Sequence, residues 1–306
     1  MNVVSLFAGC GGSSLGYEMA GGRILVAVEW DKAATECYRR NHPKTVMLER
    51  DIGGVSPDEI LALCEFGVGD LDVLDGSPPC QGFSTAGKRF AGDGRNSLFR
   101  EYIRLLRGLR PRVFVMENVA GMVKGKMKAI FAEAMRELAE SGYRVKARLM
   151  DAQWYGVPQE RKRVIFIGVR RDLGMEPSFP EPTVKRPLSA NEVMAAAMPH
   201  RGWGGLRNAQ FSNKWRSAGK PAPCMERARP LFARDCDGRV REITRDEGAV
   251  LATFPAEYFI EEDRVALDLM GNAVMPKMMA AIAGHICDTI LARWEAETGG
   301  QAVLAE

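Results

Sequence analysis

The chain has 306 residues, 46% hydrophobic and 26% charged, with a net charge of +3; this is the make-up of a soluble globular protein with one large domain and room for a smaller one. Its seven cysteines stand singly, without CxxC spacing or a neighbouring histidine pattern, which excludes a disulfide framework and a zinc site. No apolar run reads as long enough to span a membrane and Met1-Asn-Val-Val lacks the basic start of a signal peptide, so a reducing cytoplasm is the expected setting.

In chain order, Val3–Phe7 is a short β-prone run ending in Ala8-Gly-Cys-Gly-Gly12, after which Ser13 or Ser14 caps a helix to about Ala20. Strand, glycine turn and helix bring backbone close to a cofactor at a helix N-terminus, although the spacing is neither GxGxxG nor a P-loop. A second strand, Ile24–Val28, ends in Glu29-Trp30. A carboxylate there suits the two hydroxyls of a ribose, and the indole can lie flat on a base. A helix over Lys32–Asn41 leads to Thr45–Leu48 and then to Asp51-Ile52, whose carboxylate can accept from an exocyclic amino group such as adenine's. Singly, each of these residues is more often a surface acid or a core aromatic. Together, Glu29, Trp30 and Asp51 fit an adenosine moiety.

Ser56-Pro-Asp-Glu59 is a capping box with proline at the first helical position, which predicts a helix from Pro57. Leu71–Leu74 has strand character and runs into Asp75-Gly-Ser-Pro-Pro-Cys-Gln-Gly-Phe-Ser84. The prolines fix two φ angles and remove two donors, so neither helix nor central strand continues. Cys80 is therefore held at a rigid strand end, where α/β proteins place ligands; taken alone it would read as a buried structural thiol. The glycine-rich stretch from Gln81 to about Asn96 reads as a loop able to close over a site. A helix over Ser97–Leu109, a strand over Arg112–Met116 ending in Glu117-Asn-Val119, a helix over Met127–Ala139 and strands over Arg144–Met150 and Arg163–Val169 follow. This alternation predicts a parallel α/β sheet, and the last two strands, joined without a helix, an antiparallel edge.

Near Arg171 the rhythm stops. Prolines and glycines predict a loop-rich second domain, and the charge changes with them. From Arg170 to Arg245 there are 15 Lys and Arg against 8 Asp and Glu, a surplus of +7 that leaves −4 for the rest of the chain. A basic segment on a mildly acidic body points to a localised polyanion surface. Arg241–Phe254 reads as helical, and an apolar helix from Pro276 to about Trp294 is predicted to pack back on the first domain.

Taken together, these stretches resemble the DNA cytosine-5 methyltransferases, in that family's order over nearly the whole chain: Phe7-Ala-Gly-Cys-Gly-Gly12, Glu29-Trp30, Asp51-Ile52, Pro78-Pro-Cys-Gln81, Glu117-Asn-Val119, Gln159-Glu-Arg-Lys-Arg163, Arg241–Pro255 and Gly271-Asn-Ala-Val274. The resemblance implies a Rossmann-like α/β catalytic and cofactor-binding domain over residues 1–170. It also implies a small inserted target-recognition domain over 171–257, and a C-terminal segment, 258–306, that packs back on the first domain. It implies S-adenosylmethionine as cofactor, S-adenosylhomocysteine as product, no metal, double-stranded DNA as substrate and a cytoplasmic monomer, and it is compatible with a companion restriction endonuclease. By the same resemblance the cofactor contacts are Phe7, Ala8, Gly9, Gly11, Gly12, Glu29, Trp30, Asp51, Ile52, Pro79, Asn272 and Val274. The catalytic residues are Cys80, Glu117, Arg161 and Arg163, and the DNA contacts are Gln81, Ser84, Lys88 and Gln159. Two departures stand out: Ala252-Thr253 where a Gln-Gly pair is common, and Cys224 where threonine is usual.

The implied chemistry is coherent. Carbon 5 of cytosine is a poor nucleophile, and thiolate addition at carbon 6 makes it enamine-like. Cys80 is the nucleophile in this reading, and a protonated Glu117 bonds ring nitrogen 3. Arg161 and Arg163, one residue apart on a strand, would share a face, with Arg163 reaching the base's carbonyl oxygen or a phosphate and Arg161 holding the neighbourhood of Cys80. The target base must leave its stack. The nearest rival is an RNA cytosine methyltransferase on the same framework, but the Cys-Phe-Thr signature of the tRNA-modifying relatives is absent. A non-catalytic DNA-binding relative is the other; it would be expected to lack Cys80 or Glu117, and both are present.

Overall fold

The computed structural model describes residues 1–79, 95–198, 202–208, 214–260 and 263–299. Cys80, Gln81, Ser84 and Lys88, with most of the expected closing loop, lie outside the described residues. The main sheet consists of β1 (Asn2–Leu6), β2 (Arg23–Glu29), β3 (Val46–Glu49), β4 (Val73–Gly76), β5 (Val113–Val119), β6 (Tyr143–Asp151) and β7 (Lys162–Arg170), in the order β3-β2-β1-β4-β5-β7-β6. Strands β1 to β5 are parallel, and β7 runs antiparallel to both β5 and β6. The hairpin β6–β7 is the expected antiparallel edge, with its second strand inserted next to β5. Strand order reverses between β1 and β4, which opens a crevice at the carboxyl ends of the parallel strands.

Helices α1 (Gly12–Met19), α2 (Lys32–Asn41), α3 (Pro57–Cys64), α4 (Arg95–Leu109) and α5 (Lys128–Glu140) connect these strands. Ser56 caps α3 by accepting from the Glu59 amide, with proline in the first turn as predicted. The start of α1 differs from the expectation: Gly11 occupies the cap position in the left-handed region, and no side chain caps the helix. Ser13 and Ser14 lie inside α1 and turn inward, Ser13 towards Asp75 and Ser14 to accept from Tyr38. Buried central strands carry apolar residues on both faces. On β5, Val113 and Val115 belong to the apolar layer under α1 and the C-terminal helices, while Phe114 and Met116 belong to the layer under α3, α4 and α5.

Beyond β7 the chain is more regular than its proline content suggests. Helix α6 (Ala190–Ala197) precedes a second, four-stranded antiparallel sheet of β8 (Trp203–Asn208), β9 (Arg216–Ser217), β10 (Leu231–Asp235) and β11 (Val240–Glu242), ordered β11-β10-β8-β9. The helix read over Arg241–Phe254 is shorter, α7 (Arg245–Ala252). Arg241 and Glu242 belong to β11, and a Thr244–Glu247 capping box starts the helix. Helix α8 (Asp263–Asn272) was not anticipated. The last predicted helix is α9 (Pro276–Ile286), a π turn over Cys287–Leu291, and α10 (Ala292–Thr298). By length and composition alone Arg264–Glu297 is long and apolar enough to cross a membrane, contrary to the expectation of no such run. Much of it is instead buried core: Met278, Met279, Ile282, Ala283 and Ile286 of α9 are covered, with α1 packed so close that a Cβ on Gly16 would come within 2.5 Å of Met279.

Candidate functional site

The glycine turn and the acids converge because parallel strands end together. Phe7 and Gly9 both have φ of 56°, a strained setting for the phenylalanine. The turn is fastened to β2: the Glu29 carboxylate accepts from the Gly9 amide at 2.9 Å, and from the Trp30 and Asp31 amides at 2.8 and 3.0 Å. A carboxylate offers about four lone-pair sites, so a vicinal diol can add fully only if one of these three bonds yields. The Trp30 side chain lies out in solvent, 71% exposed. Asp51 follows β3, spends one oxygen on the Gly53 amide and stands beside buried Ile52. A Cβ on Gly9 would meet nothing within 4 Å, whereas one on Gly11 would collide with Tyr258 and His42, and one on Gly12 with the Val274 carbonyl. Gly9 thus faces open space; Gly11 and Gly12 are required by the docking of the C-terminal half. Val274 packs there, while Asn272, the last residue of α8, is exposed.

Beneath the crevice, Asp75 on β4 is buried and accepts from Ser13 Oγ at 2.6 Å and from Ser5 Oγ and Tyr17 Oη at 3.4 Å each. Burial pushes its pKa up to about 7; the three hydroxyls pull it down, and Glu117 adds to the rise. The turn beyond β4 is tied to β5, where Asn118 Nδ2 donates to the Pro78 carbonyl at 3.0 Å; Pro79, next along, is exposed. Glu117 is buried, and its Oε1 pairs with Arg163 Nε at 2.8 Å. Register explains the pair. Val119 lies opposite Arg163 and Glu117 opposite Ile165, so Glu117 and Arg163 are diagonal neighbours on one sheet face. Arg163 also donates to its neighbour's carbonyl, that of Lys162.

Arg161 diverges from Arg163 because it lies just outside β7. It is fully buried and donates to the carbonyls of Met225, Gly271 and Ala273 at 2.8, 2.9 and 2.8 Å, with Cys224 Sγ at 3.5 Å. Burial, then the nearby Arg163, pushes its pKa down to about 10, so it stays charged at neutral pH. Gln159 is also fully buried, and its side-chain carbonyl accepts from the Met225 amide at 3.0 Å. A contact from Gln159 to DNA would need the segment around Met225 to move. The sequence offered no sign of the roles of Asp75, Asn118 or Tyr258. The last donates to the Cys10 carbonyl at 2.6 Å and lies 2.8 Å from His42 Nε2.

A cavity of about 710 Å³ separates the rim of β6 and β7 from the second sheet, and Glu160, Arg207, Lys214, Trp215, Arg216 and Lys220 line it. Glu160 is held by Arg216 at 2.6 Å, and Glu226, which also lines the cavity, pairs with Arg229; this leaves the lining basic and aromatic. Among the described residues no cluster of three or more His, Cys, Asp or Glu could hold a metal ion.

Comparison with known proteins agrees with this architecture. A family model described as C-5 cytosine-specific DNA methylase matches residues 1–220. The chain is 40% identical over 182 residues to the Type II methyltransferase M.XorII of Xanthomonas oryzae pv. oryzae, covering 59% of this chain and 43% of that protein. It is 42% identical over 178 residues to the Type II methyltransferase M.DdeI of Desulfomicrobium norvegicum, covering 56% and 41%. It spans less than half the length of these two curated relatives. A solved structure described as a DNA modification methyltransferase encoded within an E. coli prophage superposes with a TM-score of 0.76 at 22% identity, over 94% of this chain and 98% of that one. The S. pombe Dnmt2 methyltransferase does so with 0.68 at 21%, over 92% and 96%. At such identities the superpositions speak for a shared fold only. The sequence match over most of the chain carries further: this chain belongs to the C-5 cytosine-specific DNA methylases.

Proposed function

We propose that the chain transfers a methyl group from S-adenosylmethionine to carbon 5 of a cytosine flipped out of double-stranded DNA, through a covalent bond between Cys80 and carbon 6. The observation that carries this reading is the buried Glu117–Arg163 pair, one residue from the Asn118 bond that fixes the Pro78 carbonyl two positions before Cys80. An acid, a cation and a tethered nucleophile turn at one sheet edge suit attack on an electron-poor ring.

S-adenosylmethionine supplies, when bound, an electrophilic methyl on a sulfonium. Glu29 would hold its ribose, Trp30 would cover its base and Asp51 would take the adenine amino group. The open space beside Gly9 supports the fit, since a side chain there would enter the cradle. The Cys80 thiolate forms a bond to carbon 6 while ring nitrogen 3 takes a proton from Glu117. Arg163 occupies Oε1, so that proton and the base meet at Oε2. Carbon 5 then bonds the methyl as that methyl's bond to the sulfonium sulfur breaks and S-adenosylhomocysteine is left. Carbon 5 loses its own proton to a base, and the carbon 6–sulfur bond breaks as nitrogen 3 gives its proton back. Residues 171–257 would form the recognition domain, and the second sheet within this range supports that division. The clamp of Asn41 on Phe259, with two 2.7 Å bonds, supports a return to the first domain near 258.

DNA carrying 5-fluorocytosine at the target should trap the wild-type protein covalently, because fluorine cannot leave as a proton. Cys80→Ser should abolish trapping and lower turnover by on the order of 10³-fold or more. An adduct that persists in Cys80→Ser would show that another residue attacks. Tritium transfer to tRNA but not DNA would favour the RNA reading.

A further inference from the structure

The second sheet has one dry face and one wet face, and the wet face carries two arginines packed on aromatic rings. Along β8 and β10, Leu206, Leu231 and Ala233 are buried, while Arg207, Phe232 and Arg234 are half-buried. Arg207 lies opposite Phe232, and Arg234 opposite Gly205, so all four share the second face. Trp215 joins them. It immediately precedes β9, where Gly205 pairs with Ser217 and Leu206 with Arg216, and that register sets Trp215 beside Arg207. Gly205 has no side chain to hinder it, and a Cβ there would lie 3.6 Å from the indole. The Arg207 guanidinium stands 5.0 Å from the Trp215 ring centre and 5.6 Å from that of Phe232, and Arg234 stands 4.2 Å from Trp215.

Two cations thus share one indole. Neither has a carboxylate partner among the described residues, and Glu242, on the same face beside Phe232, pairs with neither. The Arg207 Nε is buried without a hydrogen-bond partner. Holding like charges together is unfavourable unless something negative completes the group. A guanidinium held in place by two aromatic rings keeps two parallel N–H donors at fixed geometry, which matches the O6 and N7 acceptors of guanine in the major groove. Arg207 and Trp215 also line the basic cavity described above.

We infer that Arg207, held by Trp215 and Phe232, reads a guanine in the DNA target, at a base pair other than that of the methylated cytosine, with Arg234 supplying the second positive charge. This rests on the proposed DNA methylation. The full chain, expressed in a host free of cytosine methylation, should mark cytosines in a motif with such a guanine. Duplexes carrying 7-deazaguanine at that position should be methylated about ten- to a hundred-fold more slowly by the wild type. Arg207→Gln should relax the requirement at that one position and no longer respond to 7-deazaguanine. Arg207→Lys, whose ammonium reaches O6 and N7 without the planar fork, should weaken the preference and keep the salt dependence of duplex binding.

A motif unchanged in folded Arg207→Lys and Arg207→Gln protein would overturn the inference. So would a uniform loss of affinity with no change in motif, which would make Arg207 a phosphate contact. Methylation by the wild type in either case leaves the proposed function standing; absence of any methylation by the wild type would remove both. Thermal melts of the variants, expected within a few degrees of the wild type, separate loss of reading from loss of fold.

Discussion

Asp75 is the residue whose protonation should be felt most widely, because it links the first helix turn to the strand that leads to Cys80. Its folded pKa of about 7, raised first by burial, stands well above the unfolded value near 4. The sign follows directly. Below pH 4 both states hold the proton and the folded state is not penalised; above it the unfolded chain releases the proton first, and stability falls as pH rises until the folded carboxyl also ionises near 7. Asp75→Asn removes this titration. Relative to wild type, the variant should therefore gain about 2–3 kcal/mol between pH 5 and pH 8. Urea unfolding at the two pH values measures it, and a constant offset between the proteins would contradict the assignment. None of this could be read from the sequence. The hydroxyls that meet Asp75 come from Ser5, Ser13 and Tyr17, 70, 62 and 58 residues away, and nothing local marks such partners.

At the scale of elements, what the sequence disclosed was what local chemistry decides. The bounds of α2 follow from its pattern and from Asp31, which accepts from the Ala34 amide; α3 starts where proline and a serine cap allow. The acids at strand ends were legible because a parallel sheet gathers its carboxyl ends. The second sheet was not, since its strands have two to six residues and their pairing is set by distant partners. Arg161 shows the same limit. Parity placed it beside Arg163, yet it precedes β7 and joins two other stretches instead, at the carbonyls of Met225 and, around the end of α8, of Gly271 and Ala273. Arg161→Ala strands three buried carbonyls and should cost about 3–5 kcal/mol of stability. Denaturant titration should show that loss, with Arg161→Lys recovering only part because one ammonium cannot repeat the forked geometry. A loss below about 1 kcal/mol would mean that solvent or a shifted side chain satisfies these carbonyls.

For the whole molecule, the uneven charge matters more than the net +3. Much of the surplus in residues 170–245 is spent internally: Arg186 on Glu192, Arg216 on Glu160, Arg229 on Glu226, and Arg241 on Asp235 and Glu247. Lys220, at the rim of the cavity, and Arg239, in the turn between β10 and β11, have no ion pair among the described residues. Both are exposed, so they can meet phosphates without giving up a partner. A phosphate contact contributes through counterion release, about −0.9 to the slope of log affinity against log salt concentration. Lys220→Gln and Arg239→Gln should each make that slope shallower by about one, and the double variant by about two, while the methylated sequence stays the same. Anisotropy titrations of a target duplex between 50 and 200 mM salt, within the range where such slopes are read, provide the measurement. The contrast with Arg207 is what gives the result meaning: charge without aromatic packing should set affinity for any duplex, and packed charge should set the choice among duplexes. If the Gln variants altered the motif and left the slope unchanged, the positive face would be reading bases throughout, and the division of labour between Arg207 and its exposed neighbours would be wrong.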